Sequence, residues 1–187
     1  MTASTKWKIR PALSTDSQDI AELHAASWRS AYKTALSERY LAGDIVADRS
    51  ALWKNRLSSP RNNQYVVVAE NDRELGGFAC AFIDDSEDWG SLLDNLHVRQ
   101  DEQRAGLGTR LLRAVAAQCH LIARDSGLFL WVLQDNVNAQ RFYLRHGASN
   151  VGSDIWDAPG GTRAPLFRFA WSADRVSHLA EDRAQGA

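Results

Sequence analysis

Long apolar stretches are missing from this chain. A membrane-crossing helix needs roughly 18 or more consecutive apolar residues, and the runs here are far shorter, as at Leu128–Leu133. Cysteine is scarce. Cys80 and Cys119 stand far apart, with no Cys or His partner at metal-ligand spacing. That excludes a disulfide scaffold or a zinc site and leaves two reduced core thiols. An excess of one charge is also missing: 22 Lys and Arg oppose 23 Asp and Glu, for a formal net charge of −1. Nucleic-acid and membrane-surface binders carry a basic excess, so neither kind of partner is expected. Lysine itself is limited to Lys6, Lys8, Lys33 and Lys54. With arginine supplying the other cations, this reads as a genomic composition bias, not a function. Residues 1–6 hold no apolar core of a secretory leader, so a cytoplasmic location is expected.

What is present suits one α/β domain. The chain has 187 residues, 44% hydrophobic and 24% charged, enough to bury a core without staples. The polar ends, 1–6 and 172–187, are expected to be frayed tails around a domain over 7–171. Between them the apolar period alternates between that of strands and that of helices. Strands are expected at 7–12, Gln64–Glu70, 75–84, 91–98, Leu128–Leu133, 151–157 and 166–171. Helices are expected at 16–31, at 37–57 in two pieces broken at Gly43, along the stripe Leu107, Leu111, Val115, Cys119, Ile122 with Gly127 as cap, and at 136–146. This order implies a mixed sheet flanked by helices.

Chemistry concentrates between Val98 and Thr109. A strand ends, the polar loop Arg99–Ala105 follows, and Gly106 and Gly108 open a helix. Successive amides at a helix start attract an anion, and glycine lets the backbone approach a phosphate closely. Two phosphate motifs are excluded. A P-loop needs Lys and then Ser or Thr after its last glycine, whereas Thr109 and Arg110 follow Gly108. A dinucleotide fingerprint wants its glycines against the strand end and a third glycine, where Leu111 stands.

What remains, Gln103-x-x-Gly106-x-Gly108, resembles the pyrophosphate-binding motif of the GNAT acetyltransferase superfamily. A second segment follows at that family's spacing, Asn136-x-x-Ala139-x-x-Phe142-Tyr143-x-x-x-Gly147. The start, Ile9-Arg10-Pro11-Ala12 and then Ser27-Trp28-Arg29-x-Ala31-Tyr32, is similar to bacterial members of unassigned substrate. The resemblance covers about 7–171. It implies a seven-stranded, mostly antiparallel sheet splayed between its fourth and fifth strands, 91–98 and 128–133, with acetyl-CoA in the splay.

In such enzymes the pantetheine arm pairs with the fourth strand, here the backbone of Leu96, His97 and Val98. Gln103 opens the motif, and the amides of Arg104, Ala105, Gly106, Leu107, Gly108 and Thr109 would take the pyrophosphate. Asn136, also a candidate helix cap, would hold the pantetheine side, and Tyr143 would face the sulfur. The acceptor would enter by Trp28, Arg29 and Tyr32, with core packing the competing role for Trp28.

The chemistry implied is direct attack of an amine on a thioester. It needs a deprotonated amine, an oxyanion donor and a proton for the thiolate. Val98 N–H is the expected oxyanion donor and Tyr143 the expected acid. Asp94, four residues before Val98 and of the same parity, is the expected base, with a water chain as the alternative. His97 faces the other way, as a structural or surface histidine.

The leading expectation is acetylation of a primary amine on a small molecule. The alternatives are acetylation of a protein N-terminus or lysine, and a non-catalytic CoA-binding sensor. Trp156, Phe167, Phe169 and Trp171 on the last hairpin suggest a homodimer surface.

Overall fold

The computed structural model describes residues 7–72 and 74–181. Seven strands form one sheet in the order β1-β2-β3-β4-β5-β7-β6. The strands are β1 Lys8–Pro11, β2 Gln64–Glu70, β3 Leu75–Ser86, β4 Gly90–Val98, β5 Leu128–Leu133, β6 Ser149–Asp157 and β7 Arg163–Trp171. The helices are α1 Ser17–Ala31, α2 Ile45–Ser58, α3 Leu107–Ile122, α4 Val137–Arg145 and α5 Ala173–Glu181. None among the described residues is long and apolar enough to cross a membrane.

The alternation along β3 decides the layers. Ala79 and Ala81 face a core built with Leu111, Leu112, Val115, Phe169 and Trp171, under α3 and α5. Phe78, Cys80 and Phe82 face a second core with Ile20 and Trp53, under α1 and α2. Both faces of β3 are buried, so its sequence reads apolar throughout.

Every adjacent pair of strands is antiparallel except β4 and β5. That parallel pair is registered only at Ser91↔Leu128 and Leu92↔Phe129. β5 instead keeps β7 along its whole length, from Leu128↔Trp171 to Leu133↔Leu166. The sheet therefore opens after Leu92, as the sequence leads one to expect. The closed end is fastened by Ser91 N–H donating to the Gly127 carbonyl at 2.9 Å.

Three expectations change. Residues 173–181 are not a frayed tail: they form α5, whose Val176 and Leu179 are buried against α3. Two apolar residues three apart make a short stripe that a polar average hides. Residues 1–6 and 182–187 lie outside the described residues. Gly43 does not break a helix, because it sits inside a π-helical turn, Tyr40–Asp44, that runs into α2. Gly127 does not cap α3, which ends at Ala123. A Cβ on Gly127 would lie 2.7 Å from the Trp171 carbonyl oxygen, so the glycine serves close backbone packing there.

The hairpin aromatics also find their partners inside the chain. Phe169 and Trp171 are buried against Tyr143, and Trp156 packs on Trp28 and Tyr32. They do not form the exposed apolar face from which a homodimer was expected.

Candidate active site

The open edge of β4 leads straight into the glycine motif. Arg99 N–H donates to the Gly76 carbonyl of β3 at 2.9 Å. Backbone groups alternate along a strand, so the N–H and C=O of Val98 and of Leu96 point into the splay. Those of His97 point back to β3, with its carbonyl oxygen 2.8 Å from where a Cβ of Gly77 would stand. The expectation for Leu96, His97 and Val98 thus divides: two present their backbone to the cleft and His97 does not.

Past Val98 a 3-10 turn, Gln100–Glu102, leads to Gln103, whose amide reaches the Val98 carbonyl at 3.4 Å. Arg104 and Gly106 both adopt positive φ, +67° and +82°. Ala105 between them is exposed, and Leu107 is buried as the first anchor of α3. A Cβ on Gly106 would meet nothing within 4 Å, whereas one on Gly108 would stand 3.5 Å from the Phe142 ring. The start of a 16-residue helix therefore presents bare backbone to open space, which suits a diphosphate. Trp7 braces this loop, donating from Nε1 to Glu102 at 3.0 Å while Arg110 donates to the Trp7 carbonyl at 2.8 Å.

Helix α4 faces the loop. Asn136 is its N-cap, the side-chain oxygen accepting from Ala139 N–H at 3.1 Å. Its amide group is left for other work, and it lines a cavity of about 310 Å³ with Ser30, Lys33 and Arg141. Thr109 hydrogen-bonds His146 Nε2 at 3.0 Å, tying the first turn of α3 to the end of α4. Tyr143 is buried among Phe142, Phe169 and Trp171. Burial drives its pKa well above the ordinary phenol value, and nearby Tyr32 adds to this. The hydroxyl keeps its proton across the physiological range.

Asp94 is not where its parity put it. The β3–β4 register shifts between Cys80↔Asn95 and Ala81↔Leu93, so Asp94 is the extra residue of a β-bulge. The bulge breaks the alternation with Leu96 and Val98. Its carboxylate turns toward α2, where Arg56 Nη1 donates to it at 2.7 Å and to Asn95 at 3.1 Å. A bulge carries no mark in a single sequence.

The acceptor-side residues come together only in part. Trp28 is buried, and Tyr32 stacks on it at 5.1 Å between ring centroids. Burial, then the charges of Asp94 and Asp135, push the Tyr32 hydroxyl up to about 12. Arg29 points away and donates to the Leu41 carbonyl at 2.9 Å, so it fastens the α1–α2 connection. Sequence reasoning missed Trp156, His24 and Arg49. Trp156 closes edge-on over Trp28 and Tyr32 at 5.8 and 6.3 Å. The Arg49 guanidinium lies 4.4 Å from the Trp28 ring, and His24 packs on Trp28 at 4.9 Å and on His97 at 4.7 Å. An arginine in an amphipathic helix gives no sign in sequence that it turns inward.

Both histidines are held neutral. Burial, then Arg49, lowers His97 to about 4. Burial, then His97 and Arg49, pushes His24 lower still. The unfolded chain thus binds protons near pH 6.5 that the native state refuses. Stability is intact above that value and is expected to fall as pH drops from about 6.5 toward 4. The slope is about 1.4 kcal/mol per pH unit for each histidine. Urea midpoints at pH 7.5, 6 and 5 check this, and His24→Gln should roughly halve the slope. A flat profile would contradict the burial of both rings.

The family model described as the acetyltransferase (GNAT) family matches residues 18–148, more than half of the chain. The uncharacterized N-acetyltransferase YuaI of Bacillus subtilis is 28% identical over 155 residues, 81% of this chain and 86% of that protein. Among solved structures, the PaiA N-acetyltransferase of Thermoplasma acidophilum, in complex with coenzyme A, superposes with a TM-score of 0.67. That match has 19% identity and covers 89% of this chain and 99% of that one. YncA of Salmonella typhimurium, solved with its cofactor acetyl-CoA, gives 0.65 at 16% identity over 90% of this chain and 95% of that one. An open β4–β5 pair that ends in bare helix-start amides is thus found in a chain of matching family sequence. The protein belongs to the GNAT family and is an acetyl-CoA-dependent N-acetyltransferase.

Proposed function

We propose that this enzyme acetylates a primary amine of a small molecule by direct attack. One observation carries the choice of a small acceptor: the aromatic cluster of Trp28, Tyr32 and Trp156 is packed shut. The β6–β7 turn lies over it, with Thr162 Oγ1 donating to the Ala35 carbonyl at 2.5 Å and Gly160 packed on Ser37 and Tyr40. Trp156, just before this turn, seals Trp28 and Tyr32 from that side. A protein N-terminus or lysine would need an open groove for extended chain.

Gly106–Thr109 and the preceding amides would hold the diphosphate. Leu96 and Val98 would pair with the pantetheine arm, with Gln103 and Asn136 flanking it. Bound acetyl-CoA supplies a thioester carbonyl and a thiolate leaving group. Val98 N–H, free on the cleft side, donates to the carbonyl oxygen as charge develops there. Tyr143 keeps its proton and donates a hydrogen bond to the sulfur.

Asp94 takes a different part from the one its parity suggested. The Asp94 oxygen that accepts from Arg56 is already taken up by that ion pair, so in this reading the amine loses its proton to water. The Asp94–Arg56 pair ties α2 to β4. Asp94→Asn is then expected to lower kcat less than about tenfold and to leave the acidic limb of the rate profile in place. A loss of roughly a hundredfold with that limb moved would restore Asp94 as the base.

The reading is tested by thiol release from acetyl-CoA against polyamines, aminoglycosides, amino acids and short peptides. Release driven by one small-molecule class supports it. Release driven by peptides alone would transfer the reading to a protein acceptor. Coenzyme A binding without release for any acceptor would favour a sensor.

A further inference from the structure

Three buried N–H donors around the Trp28 ring have no acceptor among the described residues. Trp28 Nε1, Arg49 Nε and His24 Nε2 are each enclosed and unpaired among the described residues. The His24 proton is assigned from its other nitrogen. Trp53 Nε1 donates to His24 Nδ1 at 2.9 Å, so the neutral ring must carry its hydrogen on Nε2. Trp28 touches both of the others. Arg49 lies over the Trp28 ring at 4.4 Å, and His24 meets that ring edge-on at 4.9 Å.

Native proteins rarely leave buried donors unpaired, and each such group costs about 1–3 kcal/mol. Three in one contact cluster, one of them on a guanidinium, constitute a pattern. Arg49 has Asp48 as a partner, at 2.8 Å through Nη2, but Tyr40 donates to the same Asp48 oxygen. The other carboxylates near the cluster are turned to other partners, Asp94 to Arg56 and Asp135 to Thr34. None of them accepts from these three donors, and a ligand carboxylate offers two oxygens with about four acceptor sites. The planar guanidinium fork is suited to that group.

The cluster also adjoins the place of reaction. Trp28 stacks on Tyr32 at 5.1 Å, and Tyr32 is close enough to Tyr143 to raise its pKa. Tyr32 therefore links the hydroxyl proposed to face the sulfur with the orphaned donors.

We infer that the acceptor is an amine that also carries a carboxylate, an amino acid or a close relative, whose carboxylate is held by Arg49, Trp28 and His24. This rests on the amine-acetylation reading above and names its substrate class.

The test compares matched acceptors: phenylalanine with phenylalaninamide, leucine with leucinamide, and β-alanine with propylamine. In the first two pairs the amide has the more easily deprotonated amine, so intrinsic reactivity runs against the acid. For wild type, kcat/KM is expected to favour the acid of the preferred pair by roughly a hundredfold or more. In Arg49→Met and in Trp28→Phe that ratio should collapse toward one. Arg49→Lys, which keeps the charge and loses the fork, should fall between. Melting curves of each variant without ligand verify that it folds.

A second readout needs no turnover. With coenzyme A present, N-acetylphenylalanine should raise the Tm of wild type, and N-acetylphenylalaninamide should not. Amides acetylated as well as acids would overturn this inference and leave amine acetylation standing. In that case internal water serves the donors. Binding of the acetylated acid, with neither series turned over, would support the carboxylate site and contradict the transfer reading. Failure of both turnover and binding would overturn this inference, and the polyamine and aminoglycoside arms of the release assay would then decide the amine-acetylation reading.

Discussion

Replacing Tyr143 by phenylalanine is expected to lower kcat about a hundredfold while the KM for acetyl-CoA moves within a few-fold. The ring is the larger part of what Tyr143 buries, and phenylalanine keeps its contacts with Phe142, Phe169 and Trp171. Only the hydroxyl is lost. Burial and Tyr32 hold that hydroxyl far above the ordinary phenol range, so it is always a donor and never a phenolate at working pH. It is then a weaker acid than a thiol, whose ordinary pKa is about 8.5. Full proton transfer to the departing sulfur would be uphill, so in the proposed mechanism Tyr143 contributes a hydrogen bond to the developing charge. Removing one such donor typically costs 10²–10³ in kcat, as loss of an oxyanion-hole donor does. A drop in kcat without a matching rise in KM marks an interaction made in the transition state. Steady-state kinetics with any active acceptor checks this. Unchanged turnover would remove Tyr143 from the chemistry.

The second large effect is structural. Gly90→Ala is expected to destabilise the protein by about 3 kcal/mol or more. Gly90 has φ of +80°, and a Cβ there would lie 2.3 Å from the Gly127 carbonyl oxygen and 2.7 Å from its nitrogen. Those atoms are backbone, so no rotamer change relieves the clash. Gly106→Ala is the matched comparison. Its φ is +82°, but a Cβ meets nothing within 4 Å. It should cost only the left-handed penalty, about 1–2 kcal/mol. The difference isolates the close approach that fastens β4 to β5 below the splay. Urea unfolding of both variants checks it, and equal losses would mean that the Gly90–Gly127 contact yields easily.

The contrast between β2 and β4 explains how far sequence reasoning reached. Gln64–Glu70 and Leu128–Leu133 were legible to the residue because their apolar runs are bounded by turn signals and buried as read. The glycine motif was legible because Gly106 performs a local task, a positive φ at a helix start, for which glycine is the residue of least strain. Asp94 was misread because parity assumes an unbroken ladder. One bulge turned its side chain from the face of Leu96 and Val98 to that of Arg56. A helix at 173–181 was missed because its two buried residues acquire meaning only against α3. The aromatic cluster lay furthest from view. Trp28, Arg49, His97 and Trp156 come from four separate elements, and nothing in the chain order announces that they meet.

The account stands most directly on where coenzyme A lies, and amide hydrogen exchange with and without coenzyme A measures that. The account predicts slowed exchange at the cleft-facing amides of Leu96 and Val98 and from Arg104 to Thr109, while β1 and β2 are unaffected. Binding that instead protects the larger cavity of about 630 Å³ between Asn62–Tyr65 and Gln118–Ser126, at the far end of α3, would contradict it.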